Sequence, residues 1–241
     1  MLEAVFISDL HLHPDVPAIT HRFNDFMQWA VANARTLYIL GDFFHAWPGD
    51  DGIDDWSSAI ANTLAQAAAR GLVIYYLHGN RDFLLGNRFA TMARMTLLRD
   101  PSLITLGGVP VLLTHGDRYC TLDKAHQRFR RITRNRLFTA LFLKLPLSYR
   151  NRLVSHIRQR SQQNRNKDEQ MMDVVANDVL KHLYRYGVQR VIHGHTHKPG
   201  LSRYHHETMD YYRYVLSDWD DTPKILCYDQ PKGFEFIQPI R

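Results

Sequence analysis

An α/β fold is predicted for this 241-residue chain by three observations. Five short apolar runs read as strands, helical patterns lie between several of them, and a polar, ligand-type residue follows each run. The runs are AVFIS (4–8), TLYIL (36–40), LVIYYL (72–77), VPVLLT (109–114) and RVIH (190–193). All are short and rich in branched or aromatic residues, as buried strands are.

The elements between them follow from spacing. Residues 18–34 place Ile19, Phe23, Phe26, Met27, Ala30 and Val31 on one helical face. Residues 56–70 form an Ala-rich helix stopped by Gly71, a residue free to take the left-handed turn of a C-cap. Residues 172–186 carry Val175, Val179, Leu183 and Tyr186, and stop at Gly187. The tail is β-rich, with YYRYVLSDW and KILCYD as runs and QPKGFEFI as a closing hairpin. The interval 120–167 breaks this rhythm: it is helical, basic and rich in Leu and Phe around LFTALFLKLPL (137–147). Pro146 is expected to split it into two helices, since proline lacks the N–H a helix needs. The chain therefore reads as a single domain, 1–241, with a helical cap inserted at about 120–167.

Composition narrows the classes. Two cysteines exclude a disulfide framework and fit a reducing compartment. No run approaches the roughly 18 apolar residues of a membrane span. The start, MLEAVFISDLHLH, has no basic stretch and reaches charge at once, so no signal peptide is expected and the cytoplasm is the default location. The net charge of +6 is uneven. Residues 118–167 hold fourteen Lys/Arg and one acid, Asp123, whereas the rest of the chain is net negative. Such a block suits nucleic acid, an anionic membrane surface or an anionic substrate; a solvated basic face is the plain alternative.

The chemistry is concentrated at strand ends. SDLHLH gives Asp9 and His11, GDFFHAW gives Asp42, HGNRDF gives Asn80 and Arg81, THGDRY gives His115, and HGHTHKP gives His195 and His197. Ligands bind at the carboxyl ends of strands in open α/β sheets. Residues two apart in extended backbone point the same way, which pairs Asp9 with His11 and His195 with His197. Seven O and N donors exceed one structural zinc site, and no thiolate set exists. They suit two divalent ions sharing a carboxylate, with Mn²⁺, Fe²⁺ or Zn²⁺ favoured over Ca²⁺ or Mg²⁺.

The ordered series D-x-H, G-D, G-N-R-D, H-G-D and G-H-T-H resembles the calcineurin-like metallophosphoesterases from Asp9 to His197. That resemblance implies a sandwich of two β-sheets flanked by helices. Longer strings, YILGDFFHAW, HGNRDFLLGNRFA, MTLLRD, LTHGD and IHGHTHKP, together with the basic insertion, resemble the branch that cleaves the pyrophosphate of a diacylated UDP-sugar in lipid A synthesis. By this resemblance Asp9, His11 and His197 hold one Mn²⁺, Asn80, His115 and His195 hold a second, and Asp42 bridges them. A hydroxide activated by both ions would attack the α-phosphorus, releasing UMP and the acylated sugar 1-phosphate. Asp42, Arg81 and His195 are the implied catalytic residues; Asn80, Arg81, Asp123, Ser161, Asn164, Lys167 and His195 are the implied substrate contacts.

Arg81 fits a pyrophosphate on chemical grounds. Many family members carry histidine there, often taken as an acid for an alkoxide leaving group. Arginine stays charged and cannot be that acid. A phosphate leaving group, with a second pKa of about 6, needs none, and a guanidinium can bind it.

The insertion supplies both apolar and basic character. Leu137, Phe138, Leu141, Phe142, Leu143, Leu145 and Leu147 are read as lining an acyl pocket, facing lipid, or packing the cap on the body. Basic flanks fit peripheral attachment to an anionic surface, here the cytoplasmic side of the bacterial inner membrane. No nucleic-acid partner is expected, because stacking aromatics do not interleave with the bases. The rival readings are another calcineurin-like phosphodiesterase or nucleotide pyrophosphatase, and a basic nucleic-acid module with a vestigial site. Trp29 is expected in the core. Asp50, Asp51, Asp54 and Asp55 read as a solvated acidic loop, Asp82 and Asp117 as orienting groups, His193 as a supporting residue, His205 and His206 as surface, and Cys120 as a buried thiol.

Overall fold

Four parallel strands, β1 (Leu2–Ile7), β2 (Ala34–Ile39), β3 (Val73–Leu77) and β4 (Thr96–Leu98), form most of the first sheet in the computed structural model. The structure describes residues 1–163, 173–220 and 222–240, with only the backbone from 158 to 163. The antiparallel hairpin β10 (Ile225–Asp229) and β11 (Gly233–Ile237) completes that sheet, in the order β11-β10-β1-β2-β3-β4. The second sheet runs β5-β6-β7-β9-β8, built from β5 (Ser102–Leu106), β6 (Val109–Leu113), β7 (Arg190–His193), β8 (Gly200–His206) and β9 (Met209–Val215). Its three central strands, β6, β7 and β9, are parallel.

The two sheets face each other. Phe6, Tyr38, Leu40, Leu113, Ile192, Leu216 and Leu226 fill the space between them. The outer face of the first sheet is covered by α1 (Pro17–Asn33), α2 (Asp55–Ala69) and α3 (Asn87–Met92), which bury Phe23, Phe26, Leu64 and Phe89. The outer face of the second packs Val191 and Tyr211 against Val179 and Leu183 of α7 (Ala176–Tyr186). Strands covered on both faces explain the continuous apolar runs. Trp29 packs against the core without being fully buried.

The five expected strands and the tail hairpin are present. Three further strands, β4, β5 and β8, form edges whose exposed positions diluted the apolar signal: β5 and β8 alternate, and Leu103 is 53% exposed. The cap interval also differs from expectation. Its described residues form three helices, α4 (Lys124–Thr133), α5 (Arg136–Phe142) and α6 (Leu147–Gln163). Pro146 does separate α5 from α6, but a second break falls at Asn135, whose side chain accepts from the N–H groups of Leu137 and Phe138 and starts a new helix.

The acidic loop is likewise more than solvated surface. Asp50 is half-buried against α3, accepting from Gly86 N (2.8 Å), Phe89 N (3.1 Å) and Trp47 Nε1 (3.0 Å). Asp54 and Ser57 form a capping box on α2. Asp51 pairs with Arg150.

Candidate metal centre

The first two strand-end loops run side by side. Leu40 N, Asp9 N, His11 N and Leu12 N bond across to Ile7, Gly41, Asp42 and Phe43 carbonyls. From the other sheet, Gly194 N bonds to the His115 carbonyl at 2.9 Å. With His195 N on Asp9 Oδ2 (2.8 Å) and Arg81 N on Asp42 Oδ1 (2.9 Å), these links bring all seven expected donors together at the strand ends. Asp9, His11, Asp42, His195 and His197 each have φ between 52° and 70°, the left-handed region. Among non-glycine residues Asp and His tolerate that region unusually well, and such strain clusters at functional sites. Close approach also demands glycine: a β-carbon on Gly79 would overlap Asp42 Oδ1, and one on Gly194 would overlap Asp9 Oδ2.

Two donor groups emerge. One carboxylate or imidazole atom each from Asp9, His11 and His197 lies within 4.8 Å of the others, and so do atoms of Asp9, Asp42 and His115. Asp42 spans both: Oδ2 is 3.4 Å from His11 Nε2, and Oδ1 is 3.6 Å from His115 Nε2. Asn80 Oδ1 is 3.0 Å from His115 Nε2, and the His195 ring centroid is 5.1 Å from that of His115.

The donor chemistry fits divalent cations. His115 Nδ1–H donates to the Leu40 carbonyl at 2.9 Å, which turns Nε2 toward two acceptor oxygens. Asp9 Oδ1 is buried without a hydrogen bond and faces His197 Nε2 at 3.5 Å. An oxygen without a donor beside imidazole nitrogens is what a cation satisfies.

Electrostatics keep the carboxylates ionised. Burial pushes Asp9 up, but the close His197 ring and the charges of His115 and His197 outweigh it and hold Asp9 at about 2. Burial acts the same way on Asp42; His115, His11 and Arg81 hold it well below the usual carboxylate range. His197 rises to about 10, because Asp218 and Asp9 overcome its burial. His195 falls to about 3 through burial and its neighbours His115 and His126.

Three supporting carboxylates surround these donors. Asp82, fully buried, accepts from Phe43 N (2.7 Å) and Gly79 N (2.8 Å), tying two loops together. Asp117, also fully buried, lies 3.1 Å from Arg130 Nε. Asp218 Oδ2 lies 3.3 Å from His197 Nδ1 and orients that ring. Sequence reasoning missed Asp218, although SDW follows the run YRYVL as the other candidates follow theirs.

His193 stands apart. It is fully buried, its Nδ1–H donates to the Gly194 carbonyl at 2.7 Å, and burial together with Arg213 holds it at about 4.

Arg81 lies against the centre. Its backbone N–H donates to Asp42 Oδ1 at 2.9 Å, and Nε is 3.2 Å from Asp42 Oδ2. Asp123 caps α4 by accepting from His126 N at 3.0 Å. That helix places His126 beside His195, ring centroids 5.2 Å apart, a neighbour the sequence did not single out. The Ser161 side chain, Asn164 and Lys167 lie outside the described residues.

The cap residues divide. Phe142 is buried and Phe138 packs against the main core; full burial of such a side chain contributes about 1.5–3 kcal/mol. Leu137 and Leu141 are 76% and 65% exposed, and Leu143 and Leu145 are exposed too. Some basic charge is internal: Arg150 is fully buried, bonded to the Pro48 and Leu145 carbonyls and paired with Asp51. Among the described residues no helix is long and apolar enough to cross a membrane.

This chain belongs to the calcineurin-like phosphoesterase family, whose pattern matches residues 3–199. Its relatives narrow the class. UDP-2,3-diacylglucosamine hydrolase of Pseudomonas paraeruginosa (strain PA7) is 46% identical over 220 residues, covering 91% of this chain and 92% of its own. The proteins of that name from Pseudomonas entomophila and Pseudomonas fluorescens (strain SBW25) are 42% and 40% identical. They cover 96% and 98% of this chain, and 96% of their own lengths. Among solved structures, an archaeal phosphodiesterase is similar at 16% identity and a TM-score of 0.46, over 97% of this chain and 98% of its own.

Proposed function

We propose that this chain hydrolyses the pyrophosphate bond of UDP-2,3-bis(3-hydroxyacyl)-glucosamine to UMP and 2,3-diacylglucosamine 1-phosphate, a step of lipid A biosynthesis. The carrying observation is identity of 40–46% over nearly the whole chain to hydrolases named for this substrate. The carboxylate–imidazole centre under a cap with an apolar, basic exterior supports the same reading.

Two Mn²⁺ ions are the proposed cofactors. Asp9, His11 and His197 would hold one, Asn80, His115 and His195 the other, with Asp42 between them; the Asp9–His11–His197 group supports the first set, and the approach of Asn80 and His195 to His115 supports the second. When bound, such ions lower the pKa of a water and offset charge developing on phosphorus.

The chain's own residues do the rest. Asp42 is far too acidic to take up a proton at neutral pH, so it organises the centre as a fixed anion. His195 is neutral at pH 7 and keeps a lone pair for a ligand. Arg81, permanently charged and held by Asp42, binds a phosphate oxygen and stabilises the departing sugar phosphate, which leaves as an anion. The apolar face of α5 suits acyl chains, and the exposed leucines with neighbouring bases suit shallow contact with the cytoplasmic face of the inner membrane.

Mn²⁺-dependent release of UMP from the diacylated UDP-sugar in detergent tests the reaction. In isotopically labelled water the label should enter UMP, as attack at the α-phosphorus requires; label in the sugar phosphate overturns that step. Cleavage of bis(p-nitrophenyl) phosphate but not of the UDP-sugar overturns the substrate. An Asp42→Ala protein with full activity overturns the metal-centred reading.

A further inference from the structure

The cap and the Asn80 loop meet at one side chain. Arg134 sits at the junction of α4 and α5, where the cap chain changes direction. Its guanidinium NH2 donates to two consecutive carbonyls, those of His78 and Gly79, at 3.1 Å each. The same nitrogen is 3.7 Å from Asp117 Oδ2 and 3.8 Å from Asp100 Oδ2. Arg130, one turn earlier, shares both acids: Nε is 3.1 Å from Asp117 Oδ1 and NH2 is 3.4 Å from Asp100 Oδ2. Thr114, the residue before His115, donates to Asp100 Oδ1 at 2.5 Å. Two arginines of the cap and two nearly dry carboxylates of the body thus form one network.

The position of the two carbonyls matters. They belong to the peptides that lead into Gly79 and Asn80. On its inner side this loop is already fixed, Gly79 N by Asp82 and Arg81 N by Asp42. On its outer side the backbone acceptors are met by Arg134. Asp117, which pairs with Arg134, follows His115 by two residues, so the same guanidinium contacts both loops that carry the Asn80–His115 pair. Solvated surface charge does not explain this. A guanidinium has five donors in a rigid fork, and this one is spent on main chain and buried acid.

We infer that Arg134 is a positioning residue: it registers the cap on the Asn80–Arg81 loop and thereby sets the geometry of the Asn80–His115 half of the centre. Seating of an acyl chain against α5 then bears directly on the loop that holds the reacting phosphates. This inference rests on the proposed roles of Asn80, Arg81 and His115. Its test does not depend on turnover.

The experiment is hydrogen–deuterium exchange on metal-free protein, followed by Mn²⁺ titration by calorimetry, for Arg134→Met, Arg134→Lys and Arg150→Met. Arg150 anchors the cap elsewhere, through Pro48 and Asp51, and touches neither loop. Arg134→Met should speed exchange across residues 78–82 about tenfold, as expected when partners of a locally opening segment are lost. It should also weaken one Mn²⁺-binding event about tenfold, as loss of an outer partner of a ligand does. Arg150→Met should speed exchange in the cap and leave 78–82 and Mn²⁺ affinity as in wild type. Arg134→Lys keeps the charge but not the fork, and should fall between; it decides the matter if the Met variant does not fold. Wild-type exchange at 78–82 in a folded Arg134 variant overturns the inference, as does acceleration of that segment by Arg150→Met to the same degree. A wild-type enzyme that leaves the UDP-sugar intact would sink the substrate reading while the exchange result on Arg134 still stands.

Discussion

Asp82→Ala is the substitution whose cost the structure fixes best. Asp82 is wholly buried and takes backbone donors from two loops: Phe43 N at 2.7 Å, Gly79 N at 2.8 Å and, more weakly, Phe44 N at 3.4 Å. Alanine leaves these N–H groups without an acceptor and out of water. Hydrogen bonds to a charged group contribute about 1.5–3 kcal/mol each, so the two short ones total about 3–6 kcal/mol. Part is recovered because a buried carboxylate no longer has to be desolvated. The net expectation is a loss of about 3–4 kcal/mol. At roughly 2–4 °C per kcal/mol for a chain of this size, the midpoint falls by about 10 °C. Asp82→Asn should fall by about half as much, since one amide oxygen still accepts while the NH2 group meets a donor. Urea titration and calorimetry of metal-free protein at neutral pH measure both. A loss under about 0.5 kcal/mol for Asp82→Ala, the size of an ordinary surface change, would refute the reasoning.

Other outcomes follow from charge and exposure. His197, raised to about 10 by Asp218 and Asp9, is protonated at neutral pH in the metal-free fold. Its contribution to stability is complete below its ordinary value of 6.5 and is lost as pH rises through about 10. A cation must displace that proton, so Mn²⁺ affinity should rise between about pH 7 and 9 with proton release. Calorimetry in buffers of different ionisation heat counts the protons, and Asp218→Asn should lower the count; pH-independent binding would contradict this. Leu137→Glu with Leu141→Glu should change stability by under about 0.5 kcal/mol, both sites being exposed, yet abolish sedimentation with anionic vesicles. Unchanged sedimentation would remove that face from the proposed membrane contact. Cys120 and Cys227 are buried, and burial pushes both thiols up to about 12. Neither should react with a thiol reagent until the chain unfolds; fast labelling of native protein would show that the core is open there.

What the sequence made legible has a physical basis. Strands β1, β2, β3, β6 and β7 are buried on both faces, so their side chains form uninterrupted apolar runs, and Asp9, Asp42, Asn80, His115 and His195 stand just beyond them. The edge strands β5 and β8 alternate exposed and covered residues, and β4 spans only Thr96–Leu98. Such short or half-exposed segments resemble loops in composition. Contacts between distant positions were also hidden. Asp50 looked like one acid among four, because its donors, Gly86 and Phe89, lie 36 and 39 residues away. Asp218 became a partner of His197 only when β9 was placed beside β7. The basic block read as uniform, yet Arg130, Arg134 and Arg150 are neutralised within the fold, while Leu137 and Leu141 keep an apolar face outward.

The left-handed turns at Asp9, His11, Asp42, His195 and His197 have an evolutionary consequence. Each costs at least about 1 kcal/mol, and five together are comparable to the net stability of a typical domain. Selection for robustness alone would remove them. A descendant of this chain released from catalysis should therefore drift toward glycine or asparagine at these positions and grow hardier as it loses the reaction. The inverse also holds: random stabilising substitutions recovered from this fold should be enriched at these five turns, and, if the proposed centre is the reacting one, selections on heat resistance alone will return inert proteins.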